Sequence, residues 1–253
     1  IPEMHPFNWR GWWNFGTGAL GDMGCHLIDI PFKALGLKYP TDVECSIGSI
    51  FTKMWSADYY PEGCPPSSFV SMHFDATEKN NSPIQMTWSD GGIKPFHPDL
   101  LPAEVSIEDN GVIMIGDKGV IVCDAYGNDP KLYRKGETVV EGEKVKISEP
   151  EFGHQRQWVD ACKAGFNSSE HKSLTSSFDY SGPLTETVLM GNIAIRSYML
   201  QETSATRRRG NYIGRKKLLW DGNNMRITNL EQANQFVGRT YRKGWALSKK
   251  KIS

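Results

Sequence analysis

Asp22, His26 and Asp29 fall at i, i+4 and i+7, so a helix would set all three along one face. A carboxylate one turn from an imidazole can orient it for proton transfer, which suits a general acid or base. The same trio could instead hold a divalent metal through oxygen, nitrogen and oxygen donors. It could also be a capping acid beside an ordinary packed histidine. Cys25 adjoins His26, but neighbours on a helix point about 100° apart, which argues against a Cys–His dyad. Gly16-Thr17-Gly18-Ala19-Leu20-Gly21 has the letters of a dinucleotide-binding turn. That turn needs an apolar strand before it, and Asn8–Phe15 is polar and tryptophan-rich, so the match fails as a phosphate cradle. P-loop, Gly-x-Ser-x-Gly and His-Glu-x-x-His motifs are missing from the sequence.

The elements that must position these residues follow from periodicity. Leu20, Met23, Leu27 and Ile30 predict a helix over about residues 18–36, with Pro31 kinking it or opening a second turn. From 43 to 147 the period is two. Val70, Met72, Phe74, Ile84, Met86 and Trp88 alternate with Ser71, His73, Gln85, Thr87 and Ser89, the pattern of antiparallel strands with one face on a core. Val112–Ile115 and Val120–Cys123 flank Gly116-Asp117-Lys118-Gly119, a hairpin turn. Helices are predicted near 153–165 and about 183–200, the second with Pro183 in its first turn. A short last helix should follow Asn229, capped by it with Gln232 three residues on. The expected fold is α+β: an open, mostly antiparallel sheet with helices packed on one face.

The 253 residues carry no net charge, with 39% hydrophobic and 23% charged residues, an ordinary globular composition. No apolar run is long enough to span a bilayer, so no membrane partner is expected. The opening Ile1-Pro2-Glu3-Met4-His5-Pro6 has no signal-peptide character, and the missing initiator methionine suggests a piece of a longer chain. Charge is lopsided. Residues 1–202 hold 16 basic and 27 acidic residues, a net of −11, while residues 203–253 hold 13 and 2, a net of +11. Clusters such as Arg207-Arg208-Arg209, Arg215-Lys216-Lys217 and Lys249-Lys250-Lys251 could bind nucleic acid or anionic lipid. The tail also holds Trp220, Phe236, Tyr241 and Trp245, which favours its lying on the acidic body or on a partner subunit, with no nucleic acid involved. Five cysteines (25, 45, 64, 123 and 162) without a Cys-x-x-Cys pair read as reduced thiols.

The segment Gly16–Asp29 resembles the glycine-rich Asp…His…Asp motif of the glucose–fructose oxidoreductase / inositol dehydrogenase / rhizopine-catabolism (Gfo/Idh/MocA) superfamily. Asn8-Trp9-Arg10-Gly11-Trp12-Trp13 looks like its lead-in, Ile115–Gly119 like its sheet hairpin, and Tyr180–Glu186 and Tyr241–Trp245 like later segments. The resemblance implies that residues 1–16 lead in from a missing N-terminal Rossmann domain. Residues 17–253 would then be the substrate-binding and oligomerisation domain. It implies His26 as the catalytic acid/base, and Asp22 as its orienting partner or a ligand for a sugar hydroxyl. Arg10, Trp12, Trp13, Asp29 and Tyr180 are the implied substrate-binding residues. NAD or NADP would bind the full-length parent and no cofactor this chain, and the substrate would be a sugar, a polyol or a derivative. The polar sheet face would pair with another subunit in a homodimer or tetramer. Two readings compete with this one: a non-catalytic carbohydrate-binding or scaffold module, and a metal-dependent hydrolase or isomerase using Asp22, His26 and Asp29.

Overall fold

The computed structural model describes residues 5–58, 60–142, 153–202 and 211–245. Two consecutive helices, α1 (Gly18–Leu27) and α2 (Asp29–Leu35), occupy the stretch that periodicity assigned to one. Ile28 keeps helical dihedrals between them. Pro31 falls in the first turn of α2, where its missing N–H has no helical partner to lose. The helix stops at Gly36, whose φ of 65° is left-handed and suits glycine.

Three antiparallel strands follow: β1 (Asp42–Ile47), β2 (Ser68–Phe74) and β3 (Ile84–Ser89). Pro95, Pro98 and Pro102 then lie in irregular chain, and each lacks the N–H that a continuing ladder needs. A separate antiparallel sheet begins beyond them: β4 (Gly111–Ile115), β5 (Val120–Asp124), β6 (Lys131–Tyr133) and β7 (Val140–Glu141). The β4–β5 hairpin closes through Gly116 N–H donating to Gly119 O at 2.9 Å, at the turn the sequence marks.

Helices α3 (Gly153–Ala164), α4 (Ser169–Lys172) and α5 (Phe178–Ser197) come next. The last starts five residues before Pro183, so Pro183 stands in the second turn and not the first. Its ring leaves the Asp179 carbonyl without a helical donor. The Thr187 hydroxyl in turn donates to Pro183 O at 2.9 Å. A two-stranded ribbon, β8 (Gln201–Glu202) with β9 (Asn211–Tyr212), leads to β10 (Leu218–Asp221) and β11 (Arg226–Ile227).

β10 pairs with β1, giving a five-stranded sheet in the order β11-β10-β1-β2-β3. The basic C-terminal segment therefore supplies part of the main sheet: Leu218 and Ile227 are fully buried. The Arg207–Arg209 and Lys249–Lys251 clusters lie outside the described residues. Asn229 does not cap a helix. Its side chain clamps β10, accepting from Leu219 N–H at 3.0 Å and donating to Lys217 O at 2.8 Å. The final turn is a 3-10 helix over Glu231–Phe236.

The architecture is α+β with open antiparallel sheets. Helix α5 lies across β1 and β2, and Val43, Val70, Met72 and Phe74 pack with Val188, Ile193 and Ala194 in the core. On the opposite face Glu44, Ser46, Gln85 and Thr87 are exposed, Asp42 Oδ1 sits 2.6 Å from His73 Nδ1, and Gln85 donates to Ser71 Oγ at 2.9 Å. No helix among the described residues is long and apolar enough to cross a membrane.

Candidate functional site

A 3-10 helix over Pro6–Gly11 folds back against α1, and the two enclose an open cavity of about 450 Å³ at the N-terminus of that helix. Trp9, Arg10, Phe15, Thr17, Gly21 and Asp22 line it. Close backbone approach explains one glycine: a Cβ on Gly16 would come within 2.5 Å of Arg10 Cα. The Arg10 guanidinium donates to the Asp22 carboxylate and, through Nε, to Phe7 O at 3.0 Å. It also stands 3.8 Å above the Phe7 ring. The Trp9 and Phe15 rings lie 5.7 Å apart at 40° and keep 48% and 70% of their residue surface exposed. One wall is thus aromatic and the other a charged pair.

His26 sits one turn beyond Asp22, a rise of about 6 Å along α1. It is exposed, and its imidazole makes no hydrogen bond among the described residues. Its partner is Tyr126, from the β5–β6 turn, with ring centroids 5.7 Å apart at 69°. Asp22 pairs with Arg10 through Oδ2, and no hydrogen bond joins that carboxylate to His26 among the described residues. Asp29 opens α2 and accepts a hydrogen bond from the Tyr180 hydroxyl. The acidic trio therefore has three different partners. Among the described residues no three His, Cys, Asp or Glu side chains gather as a metal site.

Trp12 and Trp13 stand outside the lining of this cavity. Trp13 is half-buried against the core with the Arg196 guanidinium 5.4 Å from its ring centre, and it does not line the cavity. Trp12 is exposed and bridges to Gly63 at the cavity's flank. Trp9, from the 3-10 turn, lines the cavity in their place. Tyr126 could not be found from sequence, since its approach to α1 depends on how the second sheet docks.

The glycine-rich segment opens α1, as a dinucleotide turn opens a helix, but what precedes it differs. It follows a 3-10 helix, not a strand, and Asn8–Phe15 contributes only the isolated Trp12 bridge to any sheet. No family model matches the chain, and no curated protein matches it. The site has to be read from its own chemistry.

Proposed function

We propose that this chain is the substrate-binding, histidine-bearing part of an NAD(P)-dependent oxidoreductase acting on a sugar, a polyol or a derivative of one. The observation that carries the reading is the cavity at α1: exposed Trp9 and Phe15 faces beside the Arg10–Asp22 pair, with His26 outside the lining, one turn along α1 from Asp22. Aromatic faces cover the C–H surface of a sugar ring, and a charged donor–acceptor pair can sort its hydroxyls. His26, exposed and with no hydrogen bond on its imidazole among the described residues, is available to accept a hydroxyl proton as the adjacent carbon is oxidised. The hydride would pass to NAD or NADP held by a region beyond these residues, as the resemblance at Gly16–Asp29 implies. In this reading Asp29 and Tyr180 hold helices and do not touch substrate. The exposed polar face with Glu44, Gln85 and Thr87 would meet its equal in a second subunit.

The test is dinucleotide reduction by the complete enzyme against a panel of polyols and aldoses. Turnover is expected, with His26→Ala lowering kcat about 10²–10⁴-fold and leaving cofactor affinity nearly intact. Sugar binding without any turnover would replace this reading with a carbohydrate-binding module. Light scattering on the chain should give a dimer or larger at both low and high salt, because a sheet contact is screened less than the basic tail.

A further inference from the structure

We infer that Tyr126 is a positioning residue of this site: its ring, set edge-on to the His26 imidazole, fixes the orientation in which His26 meets substrate. What His26 does there rests on the oxidoreductase reading, whereas the pairing of the two rings does not. A general base normally has a third group that holds its ring, most often a carboxylate. Here Asp22, the carboxylate at the right spacing, is taken by Arg10. The contact left to hold His26 is aromatic: centroids 5.7 Å apart at 69°, inside the range in which tilted rings attract.

Tyr126 is itself held firmly. Asp124 Oδ1 accepts from Tyr126 N–H at 2.8 Å and from Asn128 N–H at 2.7 Å, while Asn128 Nδ2 donates to Oδ2 at 3.1 Å. Those donors hold the Asp124 carboxyl below its usual range. Gly127, with φ at 78°, lets the turn fold tightly, and Ile30 of α2 lies against it. The turn thus rests on α2 and presents one ring to α1. That ring remains 68% exposed, so burial does not account for the ordering of this turn around it.

Two substitutions separate ring from hydroxyl. In spectra of this chain, Tyr126→Ala should move the His26 ring resonances toward those of free histidine, and Tyr126→Phe should leave them near wild type. Unchanged His26 resonances in Tyr126→Ala would overturn the pairing whether or not the enzyme oxidises sugars. In the complete enzyme, with the best substrate from the polyol panel, Tyr126→Ala should lower kcat roughly 10–100-fold at nearly constant KM, the scale of a misplaced catalytic group. Tyr126→Phe should recover most of that loss. A raised KM at unchanged kcat would make Tyr126 a substrate contact and sink the positioning role, as would Tyr126→Phe failing as badly as Tyr126→Ala. Absence of turnover in wild type condemns the oxidoreductase reading alone.

Discussion

The Tyr180 hydroxyl donates to Asp29 across 151 positions of sequence, tying the first turn of α5 to the first turn of α2. Phe32 completes the tie, its ring edge-on to Tyr180 at 5.7 Å. Burial, then the hydrogen bond and the charge of Asp29, push the Tyr180 phenol above its usual 10.0.

Tyr180→Phe should destabilise the chain by about 1 kcal/mol, the scale of one partly solvated hydrogen bond. Folding favours the neutral phenol, so its contribution is complete below pH 10.0 and is lost as pH rises toward the higher folded value. Urea unfolding of wild type should therefore show stability falling above pH 10.0, a slope that Tyr180→Phe lessens. Parallel pH profiles for the two proteins would contradict the tie.

Trp9 and Trp13 should respond to truncation in opposite ways. Trp9→Ala removes a cavity wall and should abolish sugar-dependent quenching of tryptophan fluorescence with little change in melting temperature. Trp13→Ala removes a ring packed on the core and should cost about 3 kcal/mol. Wild-type sugar affinity in Trp9→Ala would move the sugar site elsewhere.

Gly191 of α5 faces Leu20 of α1 and Met72 of β2. A Cβ there would stand 2.4 Å from Leu20 Cδ2 and 3.0 Å from Met72 Cε, and both neighbours are almost fully buried. Gly191→Ala should therefore destabilise by about 1–3 kcal/mol through overpacking, read as a drop in melting temperature. A more stable variant would show that the helix pair has room to spare.

The five thiols should divide by reactivity. Burial pushes Cys45 and Cys64 up to about 12 and raises Cys123 as well, whereas Cys25 and Cys162 are exposed. Iodoacetamide near neutral pH should label Cys25 and Cys162 first and the other three only on unfolding. Mass spectrometry of partly alkylated protein reads the order, and early modification of Cys64 would contradict its packing under Gly18.

Local patterns were legible where neighbours in sequence decide the outcome. Alternation placed Val70, Met72 and Phe74 on the core, and Gly116–Gly119 turned the β4–β5 hairpin as expected. Choices between distant partners were not legible. Nothing near Leu218 announces that it will pair with Val43, and Asn229 looks like a cap until β10 offers it a better use. Local rules favour Pro183 at a helix start, whereas the packing of Tyr180 on the core accompanies a helix that begins at Phe178. Around α1, the spacing puts Asp22 and His26 one turn apart, but their contacts with Arg10 and Tyr126 come from other elements and are not legible locally.

The pairing of β10 with β1 sets an order of events during synthesis. β1 emerges early and gains β2 soon after, but its other side waits for Leu218–Asp221. Until then the nascent chain carries a bare template strand that a neighbouring chain on the same message could occupy. A ribosome stalled before Leu218 would hold a product whose sheet is open at its middle strand.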